Sequence, residues 1–447
     1  MTPSRTRRRP AALAALTAVV LALAACSSTA GAKGSPDVAP SGQIVPRQIS
    51  WLLSRPADGG VITAMEKIAD EYAKDHPGFS LNLITTPDRP SYVQKYETLA
   101  AANKLPELFD TDATPFAQKL ASQGRMVDVG ALLDDLGLTS TYRQAALNYQ
   151  RFPDGSLSMV PFEYSSEYFW YNTALFAQAG VSVPKTLDDM PAMCTALRAK
   201  GITPIALDGQ DQWPLERYWS YHPFRQAGPD YVHKVATGEA HFSDPAGKAA
   251  ATWLHDLGQA GCFQDGFSST GYADAQALFT SGKAAVYNIG TWELANLATD
   301  ALDSNVRGSV DFFTLPTTDG AVTAPDEFVT TSGIGMAVNA QTYDPLMRDF
   351  LAFALTRYPE VYAASGALSP TTTVATTIPG NATPLYQKAV DQAENVGAKI
   401  AVPWDTQLDP TTNTRLQQEL TLLVQGDITP DAFLTTMDAA LAENLGD

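Results

Sequence analysis

Ile49-Ser50-Trp51-Leu52-Leu53-Ser54, followed by Arg55-Pro56-Ala57-Asp58-Gly59-Gly60, is the stretch whose reading decides the fold. A short apolar run bounded by turn formers predicts a buried strand. Val61–Lys74 then carries Val61, Met65, Ile68, Ala69 and Tyr72 at helical spacing. Phe79–Ile84 alternates like a strand, Tyr92–Ala102 is helical again, and Leu108–Asp110 is a short strand. This β-α-β-α-β order predicts a parallel sheet with helices on its faces. The loop Arg55–Gly60 falls where a strand ends and a helix begins. In open α/β sheets such loops line the ligand crevice.

A second α/β segment follows. Leu157–Val160, Tyr168–Tyr171, Ile202–Leu207, Ala284–Asn288 and Val310–Leu315 read as strands. Thr186-Leu187-Asp188-Asp189 has capping-box spacing before a helix running toward Lys200. Asp244–Leu257, Tyr272–Thr280 and Trp292–Ala298 read as helices. The C-terminal region is almost purely helical: Pro384–Val396, Asn413–Val424 and Pro430–Asn444, the last with Thr429 as N-cap. Two α/β units without a long linker predict a bilobal α/β protein with a boundary near Pro161–Tyr168. The strand Gly333–Val338 and the helix Pro345–Thr356 fit either lobe on pattern alone.

The chain has 447 residues, with 30 Lys+Arg against 48 Asp+Glu and a net charge of −18. Residues 1–25 contain Arg5, Arg7, Arg8 and Arg9 and no acid, so the remaining 422 residues carry −22. So acidic a body excludes a nucleic-acid binder, which needs a basic footprint. Hydrophobic content of 45% and 17% charged residues exclude wholesale disorder. The basic stretch, the mostly apolar run Ala11–Ala25 and the sequence Leu23-Ala24-Ala25-Cys26-Ser27 read as an export signal (1–25). Small residues before Cys26 resemble the lipobox of bacterial lipoproteins, which implies a lipidated Cys26 and attachment to a lipid bilayer. Residues 26–47, rich in Ser, Ala, Gly and Pro, then read as a flexible tether. Cys194 and Cys262 are left as an even pair in an oxidising compartment, either bridged or as two separate buried thiols.

No catalytic motif stands out. There is no Gly-x-Ser-x-Gly elbow, and Gly247-Lys248 and Gly282-Lys283 are each followed by Ala, unlike a phosphate-binding loop. Gly333-Ile334-Gly335 lacks the third glycine of a dinucleotide fingerprint. His76, His222, His233, His241 and His255 show no metal-ligand spacing. No cofactor, metal or catalytic residue is expected. Trp213, Trp219, Trp292 and Trp404 sit near turn-forming residues at element ends. Exposed indoles beside carboxylates and amides suit sugar rings, whose C–H faces stack while their hydroxyls need polar partners.

Further pieces come in a characteristic order. Ile49-Ser50-Trp51 is followed by Leu105-Pro106-Glu107-Leu108-Phe109, Gly124-Arg125-Met126-Val127-Asp128-Val129 and Asp154-Gly155-Ser156 leading to Val160-Pro161. Trp170-Tyr171-Asn172-Thr173-Ala174-Leu175-Phe176, Pro184-Lys185-Thr186-Leu187-Asp188-Asp189 and Gly201-Ile202-Thr203-Pro204-Ile205 follow. Phe279-Thr280-Ser281-Gly282-Lys283-Ala284-Ala285-Val286 then leads to Gly290-Thr291-Trp292. From about Gln48 to the C-terminus the chain resembles the carbohydrate-type, maltose-binding-like solute-binding proteins of ABC importers. Glu107 replaces that family's usual Asp.

This resemblance implies a periplasmic-binding-protein-like fold with three hinge crossings, closing on its ligand. It assigns 48–161 and 332–369 to a first lobe, and 167–326 and 370–447 to a second. It implies a monomer that binds a carbohydrate ligand without chemistry and docks on a membrane permease. The ligand residues it implies are Arg55, Asp58, Asp112, Glu163, Tyr164, Trp213, Trp292, Glu327, Ser332 and Trp404. The same fold binding a polyol, a glycerol-phosphate ester or a peptide, and a secreted glycan-active enzyme, are the alternatives.

Overall fold

The computed structural model describes residues 37–57, 59–397 and 399–446. Cys26, the export segment and Asp58 lie outside the described residues. The predicted β-α-β-α-β order is present. Strand β1 (Gln48–Leu52) pairs in parallel with β2 (Ser80–Ile84) and with β3 (Leu108–Thr111). The helix Gly60–Asp75 lies between β1 and β2 in sequence, and Arg89–Ala101 lies between β2 and β3. Asp88 caps the second helix by accepting from the Ser91 N–H at 2.7 Å, and Pro90 sits in its first turn.

Two strands from elsewhere complete this sheet. They are β4 (Met159–Val160) and β10 (Gly335–Val338), and the order is β2-β1-β3-β10-β4, with β10 antiparallel to both neighbours. The strand that pattern left unassigned therefore belongs to the first lobe. The helix Pro345–Ala363 follows it there, burying Phe350, Leu351 and Tyr358 in the same core as Ile62, Met65 and Tyr72.

The second sheet contains β5 (Ser165–Asn172), β6 (Thr203–Ala206), β7 (Ala284–Gly290) and β8 (Val310–Phe313) in the order β6-β7-β5-β8. β6 and β7 are parallel, so their C-terminal ends share one edge. The short strand β9 (Thr330–Thr331) lies antiparallel to the start of β5, with Ser165 opposite Thr331. β5 and β9 thus run side by side where the chain passes between the lobes. A third passage lies beside them: the Tyr164 N–H donates to Leu368 O at 3.3 Å, and the Arg143 N–H to Pro370 O at 2.8 Å. Cys194 and Cys262 form a disulfide with an S–S distance of 2.09 Å. It joins the helix Met190–Arg198 to the segment beside β6, where the Ile205 N–H donates to Cys262 O at 2.8 Å.

Several segments differ from the sequence expectation, among them the short helices Pro115–Ser122, Val129–Asp135 and Thr173–Ala179 and the three that follow. Residues 37–47 belong to the expected tether, yet Val38 and Ile44 pack on the first-lobe core and the Tyr343 hydroxyl donates to Val38 O at 2.9 Å. Arg47 fastens the end of this segment to Glu107 at 2.8 Å and Asp344 at 3.2 Å. The expected helix Trp292–Ala298 begins as a 3-10 turn, Thr291–Glu293, before a short helix Leu294–Leu297. The helix Trp213–Ala227 was not foreseen at all. It is buried on nearly every face, so it has no amphipathic stripe, and Pro223 interrupts its interior.

Candidate functional site

The two lobes meet along a buried seam of alternating charge. Arg89 stands at the start of its helix and binds Asp112, just beyond β3, at 2.5 Å. Its guanidinium also reaches Asp405 of the second lobe at 3.4 Å. Asp405 sits in the turn Trp404–Thr406 and binds Arg217 at 3.3 Å. Arg217, in the first turns of the helix Trp213–Ala227, binds Glu167 on β5 at 3.1 Å. The order is therefore carboxylate, guanidinium, carboxylate, guanidinium, carboxylate across both lobes.

Burial opposes the charge on Arg89 and Arg217, but their carboxylate partners outweigh it and hold both above the ordinary arginine value. Burial likewise raises the carboxyls of Asp112 and Glu167, with Arg89 and Arg217 working against that rise. Glu216 is fully buried beside this chain. It accepts from Gln417 Nε2 at 2.6 Å through one oxygen, while its second oxygen has no partner among the described residues. Burial and then Asp405 push its carboxyl well up.

Beside the seam stand two half-buried indoles. Trp213 and Trp292 meet edge to face with ring centres 6.3 Å apart. Arg217 lies over Trp213 at 5.1 Å. Trp292 follows β7, and its ring folds back over Gly290 so closely that a Cβ there would fall 2.1 Å from the ring. Trp292 Nε1 donates to the Tyr272 hydroxyl at 2.8 Å, and that hydroxyl donates to Glu293. Gln276 and Asn296 donate to the other Glu293 oxygen at 2.5 and 2.8 Å, so neutral donors surround this carboxylate. The whole device fixes one indole plane at the edge of the second lobe.

Of the sequence-expected residues, Asp112, Trp213 and Trp292 come together here. The side chain of Arg55 is buried, and its Nη1 has no hydrogen-bond partner among the described residues. It is bound to Asp110 at 3.1 Å and donates to Ile334 O, tying β1, β3 and the approach to β10. Glu163 lies 4.0 Å from Arg55 and accepts from the Tyr362 hydroxyl at 3.2 Å. Tyr164 is buried beneath Arg143 at 5.0 Å, and Ser332 is buried and accepts from Gln150 Nε2 at 2.9 Å. Glu327 accepts from the N–H groups of Ala324 and Lys399 at 2.8 and 3.2 Å and holds a loop. These five side chains are each engaged with neighbouring backbone or side chains. Trp404 is a correction: it is 2% exposed, edge-on to Trp219 at 5.5 Å, and packed by Phe242 and Tyr231. An indole so enclosed has no face for a ligand, and its neighbour Asp405 faces the seam instead.

Sequence reasoning missed Arg89, Glu167, Arg217 and Asp405. Each is a single charged residue with no motif around it, and only the fold brings them together. The Pro90 turn after Asp88 was a signal for a helix start that would have placed Arg89 at a crevice edge. Among the described residues no cluster of His, Cys, Asp or Glu is arranged to hold a metal ion, and no helix is long and apolar enough to cross a membrane.

Comparison with known proteins agrees with this architecture. A chitin oligosaccharide binding protein of known structure superposes with a TM-score of 0.79 at 24% identity, covering 91% of this chain and 100% of that one. An ABC transporter extracellular-binding protein of Pyrococcus horikoshii is 22% identical over 52% of this chain and 53% of its own. The multiple sugar-binding protein of Streptococcus mutans is 28% identical over 30% of this chain and 33% of its own. The matches thus span about half or less of the length of these two curated relatives. The profile described as bacterial extracellular solute-binding protein matches residues 59–357. The chain belongs to the bacterial extracellular solute-binding protein family.

Proposed function

We propose that this protein captures a sugar or oligosaccharide between its two lobes and delivers it to the permease of an ABC importer. The observation that carries this reading is the half-buried Trp213–Trp292 pair beside a seam of carboxylates and guanidinium groups. Indole faces match the C–H faces of a pyranose, and the charged groups supply strong hydrogen bonds to its hydroxyls. Arg89, Asp112, Glu167, Arg217 and Asp405 are the polar contacts, and Trp213 and Trp292 the platforms. Arg55, Glu163, Tyr164, Glu327 and Ser332 support the hinge. Relatives that carry sugar-binding names support the ligand class.

The protein acts by binding alone, as a monomer held at the outer membrane face through lipidated Cys26. Lobe closure buries the solute, and the closed form is what the permease reads. A micromolar affinity corresponds to about −8 kcal/mol, which a few stacked rings and charge-assisted hydrogen bonds supply after closure costs. A thermal-shift screen of mono- and oligosaccharides tests the reading, because a ligand of the native state raises the midpoint by mass action. A shift with a sugar supports it. Silence with every sugar, together with a shift from a peptide or polyol, rejects it. Release of the C26A protein from membranes tests the anchor separately.

A further inference from the structure

The hydrogen bonds that end on Glu293 run in one direction only. Its ionised carboxylate accepts and cannot donate. The Tyr272 hydroxyl donates to Oε1, and Gln276 and Asn296 donate to Oε2 at 2.5 and 2.8 Å. The single hydroxyl proton of Tyr272 is thereby spent, so toward Trp292 its oxygen accepts. It does so from Nε1 at 2.8 Å. That N–H is the only hydrogen-bonding group of an indole. Trp292 therefore has none left for a ligand and offers ring surface alone.

The plane of that surface depends on groups beyond the ring. Tyr272 and Gln276 stand four residues apart on the helix Tyr272–Thr280 and so share a face. Glu293 ends the turn Thr291–Glu293 that carries Trp292. Its carboxylate thus fastens that helix to that turn, while the bare Cα of Gly290 lets the ring lie close to the end of β7. Glutamine has the same shape as Glu293 but one carbonyl oxygen. Whichever way it turns, its NH2 meets a group that donates to the carboxylate in the native protein.

We propose that Tyr272 and Glu293 are positioning residues of the sugar site, which set its affinity through the plane of Trp292 and not by touching the ligand. This inference rests on the sugar-capture reading and on Trp292 as its platform.

The test has two readouts on the full chain. In protein labelled with 5-fluorotryptophan, the 19F resonance that W292F removes reports the ring itself among seven tryptophans. It should be a single narrow line in the parent and broadened or split in Y272F and E293Q, with the lines of the core indoles unchanged. Calorimetric titration then uses the tightest binder among glucose, maltotriose, cellotriose and triacetylchitotriose. Y272F and E293Q should each weaken binding at least about threefold, and should have no effect when added to W292A, where no ring is left to position. If E293Q does not fold, Y272F carries the test alone. An unaltered Trp292 line in the folded variants overturns the inference. So does the same loss of affinity in both backgrounds, which marks direct contact with the sugar. Unchanged affinity in W292A overturns the platform and its positioning together, and leaves sugar capture standing. Absence of binding to every sugar by the parent overturns sugar capture and the binding role of the relay, whereas the 19F line still shows whether Tyr272 and Glu293 fix the ring.

Discussion

Arg89 of the first lobe and Asp405 of the second meet at 3.4 Å across the seam. Asp405 shares its carboxylate with Arg217 at 3.3 Å, so one side chain joins a guanidinium from each lobe. A lone buried charge is expensive, and an alternating chain of five lowers that cost for every member. The seam thus brings charges into the buried interface without leaving any of these five alone.

Asp405→Ala removes the shared acceptor and leaves Arg89 and Arg217 facing each other. Breaking a buried pair by losing one partner costs about 3–5 kcal/mol, with the lower end expected here because Arg89 is partly exposed. The variant should adopt a more open form, read as a larger radius of gyration by small-angle X-ray scattering. It should also bind sugar at least about tenfold more weakly. An unchanged radius and affinity would refute the role given to the seam.

Trp292→Ala removes an indole that is half-buried and outside the fully enclosed core. Its loss should weaken sugar binding by about tenfold, close to 1.4 kcal/mol, with little change in the melting midpoint of the ligand-free protein. Trp404→Ala should do the reverse, lowering stability by about 3–5 kcal/mol through a core cavity. Calorimetry and thermal melts on the two variants separate platform from core.

Reduction of Cys194–Cys262 opens a loop with a sequence separation of 68 residues. On the chain-entropy view the bridge contributes about 4 kcal/mol. Urea unfolding with and without reductant should show a loss of that order, while a double Cys→Ala variant should no longer respond to reductant.

His222 is buried against Trp253 at 5.3 Å, and burial lowers its pKa to about 4. Asp188, 3.9 Å away, is mostly exposed and offsets little. An unfolded histidine titrates near about 6.5. Between these values the unfolded chain takes up a proton that the native ring refuses, so stability falls as pH drops through about 6.5 toward 4. Above that window the contribution is complete. His222→Phe should lose less stability than the parent on going from pH 7 to 4, by about 2–3 kcal/mol in denaturant unfolding. Parallel pH profiles for the two proteins would contradict this.

Local pattern was enough for the elements whose physics is local. The run Ile49–Ser54, the periodic helix after it and the proline- and threonine-capped helices at the C-terminus declare themselves through hydrophobic period and end chemistry. The ordered family pieces and the even cysteine pair were legible for the same reason. The helix Trp213–Ala227 was not, because an element buried on all sides carries no polar face to set its period. Trp292 and Trp404 look alike in sequence, each beside turn formers. Only packing separates them: one folds over Gly290 at a lobe edge and the other is enclosed by Trp219, Phe242 and Tyr231. The seam is the extreme case. Arg89, Asp112, Glu167, Arg217 and Asp405 lie on separate segments of two lobes. Coulomb attraction has no sequence period, so the tertiary structure alone decides which charge meets which.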